Sequence, residues 1–221
     1  GKVAVITGGA GKYGRHLVRA LSQAGAKTYV ASRNLDNLKK LAAEINENNI
    51  DGKCGTVIPA YVDQGDEASI LNLRDEILEH EDKVDILVNN AVSGPMKSWN
   101  ADVSKFAESM RINATGLFLM TRTFGDIMAE AGKGSIINIG SIQGMIGPDG
   151  TLYEGLSFYG FVPVYFFHKG GMINFTRFVA SYYGPRNVRC NCVSPGGFLS
   201  GQPEEFIERY SRRTFLGRMA N

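Results

Sequence analysis

Short apolar runs rich in β-branched residues alternate with longer amphipathic stretches along this 221-residue chain. Parallel strands joined by helical crossovers accommodate that alternation, because each strand is buried on both faces while each helix buries one stripe. Six strands are expected, at 2–7, 27–32, 56–62, 84–89, 134–140 and 187–193, with helices filling most of the intervals. Right-handed crossovers put helices on both sides. The expected fold is therefore α/β, a doubly wound parallel β-sheet flanked by helices, as a single domain over residues 1–221. Ligands of such sheets gather at the carboxyl ends of the strands, so the residues just after each strand carry the functional reading.

The first of these places reads "TGGAGKYG", residues 7–14. Gly9, Gly11 and Gly14 satisfy G-x-G-x-x-G between a strand and a helix, where glycines let the backbone turn tightly and approach a pyrophosphate held at the helix N-terminus. An acidic residue at the end of the second strand would accept hydrogen bonds from an adenosine ribose and favour NAD. The chain instead reads "ASRN" at 31–34, with Ser32 and Arg33 where a 2′-phosphate would sit. Two charge-assisted hydrogen bonds, worth about 1.5 to 3 kcal/mol each, shift preference by roughly a hundredfold or more. NADP(H) is therefore expected to be preferred, with NAD(H) as the alternative. Lys12 and Arg15 add positive potential or are plain solvated charges, and a surface pairing of Arg33 near Asp36 is the competing reading.

Composition narrows the partners. A net charge of +2 with the signs interspersed offers no basic run to grip nucleic acid. No apolar stretch reaches the roughly 18 residues a membrane helix needs. Neither nucleic acid nor membrane is expected as a partner. Three cysteines are too few and odd in number for a disulfide framework, and no basic-then-apolar leader opens the chain, so a cytoplasmic location is expected. Cys190 and Cys192 alternate along the sixth strand and read as structural, and no metal site is expected.

"TGGAGKYG", "NNA" at 89–91, "INATG" with Asn113, "INIGS" ending at Ser141, Tyr-x-x-x-Lys at 165 and 169, and "VRCNCVSPGG" at 188–197 together resemble the short-chain dehydrogenase/reductase superfamily. The motifs span nearly the whole chain in the family's order. The resemblance implies a Rossmann-type domain, a nicotinamide cofactor, an alcohol or carbonyl substrate, and a homotetramer or homodimer. It also implies a catalytic tetrad of Asn113, Ser141, Tyr165 and Lys169. Tyr165 exchanges a proton with the substrate oxygen, Ser141 hydrogen-bonds that oxygen, Lys169 also binds the nicotinamide ribose, and Asn113 holds a water that relays protons to Lys169. Gly8, Gly11, Lys12, Tyr13 and Gly14 fall in the phosphate loop, and Asp63 with Gln64 at the adenine. Asn90 and Ala91 lie beside the cofactor, Pro195, Gly196 and Phe198 against the nicotinamide, and Ser200 at its carboxamide.

The physical reading of "YFFHK" at 165–169 agrees. Tyr and Lys at i and i+4 share a helix face. An ammonium about 4 Å from a phenol favours its phenolate by roughly 4 kcal/mol at an effective dielectric near 20, before desolvation offsets part of it. Such a tyrosine works as a general acid/base near neutral pH. Tyr153 and Tyr159 have Ser157 and Pro163 at i+4 and are excluded on that spacing.

Several features depart from the family's shorter, single-domain branch. Gly8, Gly11 and Gly14 follow the spacing of the longer branch of sugar-nucleotide epimerases and dehydratases, as does the Ser141 to Tyr165 separation (165 − 141 = 24). Arg33 and "VRCNCVSPGG" follow the shorter branch, and no substrate domain follows. Val92 replaces a family glycine, and His168 is expected on a helix surface or a subunit interface. The chain ends where the shorter branch usually continues, so its last strand is expected to be missing. Residues 142–163 form an aromatic, glycine-rich loop that suits a stacking ring, so a polyol, sugar or sugar derivative is the expected substrate. A keto-acyl or other small carbonyl compound is the alternative substrate, and a sugar-nucleotide epimerase/dehydratase-like activity or a silent NADP(H)-binding sensor the alternative function.

Overall fold

The structure, a computed structural model, describes residues 1–49, 52–157 and 161–221. Six parallel strands form one sheet in the order β3-β2-β1-β4-β5-β6. They are β1 Val3–Thr7, β2 Lys27–Ser32, β3 Val57–Tyr61, β4 Ile86–Asn89, β5 Gly134–Ile139 and β6 Val188–Val193. Each falls within the run that the sequence marks. The strand order reverses between β1 and β4, which pair with Ala4 opposite Ile86, and a crevice opens at such a switch point.

Among the described residues the α-helices are α1 Lys12–Gln23, α2 Leu35–Glu47, α3 Glu67–Leu78, α4 Val103–Met110, α5 Gly116–Glu130, α6 Pro163–Tyr183 and α7 Glu204–Ser211. The period of two along each strand divides the core. Val5, Tyr29, Leu87 and Ile136 pack on one face against Ile70, Leu73, Met120, Phe124 and Val179 of α3, α5 and α6. Ile6, Val30 and Val88 pack on the other against Val18, Leu38 and Leu41 of α1 and α2. A third, small apolar cluster of Leu152, Phe206, Tyr210 and Met219 lies apart from both. The caps are local: Asn34, Asp66 and Asp102 accept from backbone N–H groups of the helices they precede, and Pro163 opens α6. Among the described residues no helix is long and apolar enough to cross a membrane.

Between β4, β5 and the helices above them runs a buried polar ladder. Asn89 Nδ2 donates to Thr121 Oγ1 (3.1 Å) and Asn138 Oδ1 (2.9 Å), and Asn138 Nδ2 donates to Thr176 Oγ1 (2.9 Å). These bonds fix α5 and α6 against the strand ends that carry the candidate chemistry.

Candidate active site

A cavity of about 940 Å³ runs across the carboxyl ends of the strands. Its phosphate end begins at Gly8, whose φ of +67° only glycine adopts without strain. A Cβ there would also lie 2.8 Å from Ala91 Cα. Gly11 precedes α1 without a side-chain cap, and no acidic residue sits in the helix's first turn. The leading N–H groups are thereby left for an anion. Lys12 and Tyr13 line the cavity here, whereas Gly14 packs its backbone on Gly8 O. Asn90 Nδ2 donates to Thr7 O and Gly8 O at 3.0 Å each, and Thr7 Oγ1 accepts from Ala91 N at 3.0 Å. The tips of β1 and β4 are thus clasped where the ligand crosses.

Ser32, Arg33, Asn34 and Asn37 line the wall at the tip of β2. Asp63 and Gln64 follow β3; Asp63 Oδ1 accepts from Gly65 N (2.9 Å), and Gln64 Nε2 donates to Ile112 O (3.0 Å). Among the described residues Asp63 is the only acidic group in the wall. Glycines, free helix N–H groups and an exposed guanidinium suit a nucleotide with a diphosphate and a further phosphate, so the residues present fit the implied cofactor.

Ser141, Tyr165 and Lys169 meet at the opposite end. Ser141 follows β5 and accepts from Gln143 N (3.1 Å), which starts a 3₁₀ turn at Ile142–Gly144. Lys169 is 4% exposed. Its Nζ donates to Ile139 O (2.5 Å) and lies 5.9 Å from the Tyr165 ring centroid. Burial pushes the Lys169 amine down to about 8. The turn packs on α6 so closely that a Cβ on Gly144 would lie 2.5 Å from Lys169 O.

Asn113 stands back from the wall, in a π turn at Arg111–Thr115 between α4 and α5. Its Oδ1 accepts from Ser93 N (2.9 Å), and its Nδ2 donates to Ser93 O (2.7 Å) and Ser109 O (2.8 Å). It holds Ser93, which does line the cavity. Pro195, Gly196 and Phe198 reach the wall. Tyr13 Oη donates to Gly196 O (3.1 Å), with its ring against Phe198 at 4.9 Å. Ser200 does not reach it; Ser200 N donates to Gln202 Oε1 (2.7 Å), and Gln202 lines the cavity.

His168 differs from its expected place on a helix surface. It is 5% exposed, edge-on to the Tyr165 ring at 5.4 Å between centroids. Burial and then Lys169 push its imidazole down to about 4, so it is neutral near pH 7. The aromatic ring two positions before Phe167 and the close packing of α6 cover what helix periodicity alone left open. Tyr159 lies outside the described residues.

The model of the short chain dehydrogenase family matches residues 2–210. The chain belongs to that family. It is 30% identical over 224 residues to 7alpha-hydroxysteroid dehydrogenase of Bacteroides fragilis, covering 99% of this chain and 80% of that protein. It is 30% identical to the 3-oxoacyl-[acyl-carrier-protein] reductase FabG of Aquifex aeolicus, covering 100% and 85%. A short chain dehydrogenase from Leptospira borgpetersenii, solved with bound NAD+, superimposes with a TM-score of 0.82 at 29% identity, covering 100% of this chain and 80% of that one.

In this short-chain dehydrogenase the wall also contains Met96, Tyr153, Val162, Phe206, Tyr210 and Met219, which no strand-end reading singles out. Phe206 and Tyr210 share a face of α7 at i and i+4, and that spacing is the one trace they leave in the sequence.

Proposed function

We propose that this protein is an oxidoreductase that interconverts a secondary alcohol and its ketone with a nicotinamide cofactor, NADP(H) in preference to NAD(H). The observation that carries the reading is the convergence of Ser141, Tyr165 and a buried Lys169 at one end of a cavity whose other end is a glycine loop. Gly8, Gly11, the α1 N-terminus, Ser32 and Arg33 would hold the nucleotide. Asp63, Gln64, Asn90, Ala91, Pro195, Gly196 and Phe198 would border it. When bound, the cofactor supplies hydride transfer.

The chain's own work is positioning and proton transfer. Ser141 and Tyr165 hold the substrate oxygen between them. Tyr165 Oη takes the hydroxyl proton during alcohol oxidation and returns it to the carbonyl oxygen during reduction. The Lys169 ammonium lies 5.9 Å from the centre of the Tyr165 ring, and its bond to Ile139 O sets its place. Asn113 fixes Ser93, and so the edge of the site, through two hydrogen bonds, and a third ties it to Ser109 O. A nicotinamide-dependent short-chain dehydrogenase of this kind is expected to work as a homotetramer or homodimer in the cytoplasm.

Tyr165→Phe keeps the ring and removes the hydroxyl. Turnover should fall by about 10² to 10⁴, the span lost with general acid/base catalysis, while NADPH binding survives. Tyr153→Phe serves as the comparison. If Tyr165→Phe keeps more than about a third of wild-type turnover while Tyr153→Phe abolishes it, the assignment falls. Cofactor binding without turnover by the wild-type protein on a broad alcohol and ketone panel would favour the sensor reading.

A further inference from the structure

The substrate end of the cavity is the part beyond the glycine loop and the β2 tip, around Ser141 and Tyr165. A run of rings borders it, with Tyr153, Tyr165, Phe206 and Tyr210 on the wall and Phe161 and Phe166 packed among them outside it. Phe166 lies 6.1 Å from Tyr165 and 6.0 Å from Phe161, Phe161 lies 5.1 Å from Tyr153, Tyr153 lies 5.3 Å from Phe206, and Phe206 lies 6.0 Å from Tyr210. Val92, Met96, Ile142, Val162 and Met219 supply aliphatic and thioether surface on the wall. Met145 (67% exposed) and Ile146 (63%) directly follow the turn at Ile142–Gly144 that Ser141 caps.

Several polar groups at this end are already bonded within the protein, beside Ser93, Lys97 and Tyr153, which also line the wall. Gln202 uses Nε2 on Phe198 O and Oε1 on Ser200 N. Tyr210 Oη accepts from Gly197 N at 2.6 Å. Gln143 keeps its Oε1 buried without a partner. Asp63, the one carboxylate in the wall among the described residues, sits at the β3 tip and accepts from Gly65 N. A polyol needs partners for several hydroxyls, and carboxylates and free amides are what usually provide them. A lone alcohol on a hydrocarbon body needs only the Ser141 and Tyr165 pair.

From this wall we infer that the substrate is an apolar ring or chain bearing a single secondary hydroxyl or ketone, and not a polyol or sugar. The inference rests on the oxidoreductase reading above and names the substrate class of that same site. In oxidation, the O–H proton goes to Tyr165, the carbinol hydride to the oxidised nicotinamide, and the C–O bond becomes C=O; reduction reverses each transfer.

The test is steady-state kcat/KM of the whole protein with cyclohexanol and 2-octanol against xylitol and threitol, each with NADP+ and with NAD+. One hydroxyl set against an apolar wall discriminates by up to about 10²-fold. The cyclic or long-chain alcohol should therefore exceed either polyol by about 10- to 100-fold. Val92→Asn adds an amide at a position 54% exposed and on the cavity wall. It should narrow that ratio by about tenfold, chiefly through KM. A polyol turned over as well as or better than the apolar alcohols would overturn the inference and leave the oxidoreductase reading intact. Failure to turn over any of the four with either cofactor would overturn both.

Discussion

At the scale of single residues, Lys169 carries a charge where solvent cannot stabilise it. Its folded value of about 8 lies below the roughly 10.4 of a free lysine. Between those two pH values the unfolded chain binds more protons, so stability rises with pH across that window. The cost of the buried ammonium is fully present below about pH 8 and is relieved as pH climbs toward 10.4. Lys169→Met lacks that slope. In urea denaturation the stability difference should move in favour of the wild type by up to about 3 kcal/mol between pH 7 and 10.5. A difference that stays flat with pH would mean that the Lys169 amine titrates in the fold as it does in the unfolded chain, and that its burial carries no such cost. The same variant should also lose turnover and bind the cofactor more weakly. The pairing of Tyr165 with Lys169 was legible from spacing, since i and i+4 must share a helix face. The burial of His168 was not, because helix periodicity reports a face and not what covers it.

Among elements, the turn at Ile142–Gly144 and the helix α6 form a tight backbone approach beside Ser141 and Lys169. A Cβ at position 144 would meet Lys169 O at 2.5 Å and Lys169 C at 2.7 Å, and neither is the movable end of a side chain. Gly144→Ala must lift the turn, and Ser141 with it, away from Tyr165 and Lys169. Because a displacement of about 1 Å costs up to 10²-fold in an oriented site, kcat should fall by 10- to 100-fold, with NADPH affinity changed by less than about threefold. Gly147→Ala is the control, since nothing lies within 4 Å of the added methyl. Equal kcat values for the two variants would exclude this positioning role. The strands were readable because Val- and Ile-rich runs of five or six residues have few other uses. Gly144 was not, since its requirement comes from a partner 25 positions away in sequence (169 − 144 = 25).

For the molecule as a whole, a nucleotide lying across β1, β2, β3 and β4 bridges both sides of the switch point and should stabilise the entire fold. A ligand at 100 times its Kd adds about 2.7 kcal/mol. For a chain of this size that raises Tm by roughly 5 to 10 °C. NADPH at that concentration should produce this rise, whereas NADH at the same concentration, bound about a hundredfold more weakly, should give about 1 °C. Arg33→Ala should bring the two shifts together. Equal shifts in the wild type would remove the basis for a phosphate preference at Arg33. Sheet order and the place of the glycine loop were both foreseeable, because crossover handedness leaves few arrangements. Of the apolar wall the loop at 142–163 was foreseeable too, whereas the share of α7 and Met219 was not, because no strand end announces them.

The cluster of Leu152, Phe206, Tyr210 and Met219 shares no residue with either core that flanks the sheet. Its two halves are joined by Ala220, whose N–H donates to Gly197 O and whose C=O accepts from Leu199 N. On the function proposed above, substrate specificity would be housed in a cassette with its own small foundation. Segments 142–157 and 198–220 should tolerate diversification where they face this cluster, and resist it at Phe198 and Gly144, which are tied to Tyr13 and Lys169 of the other half.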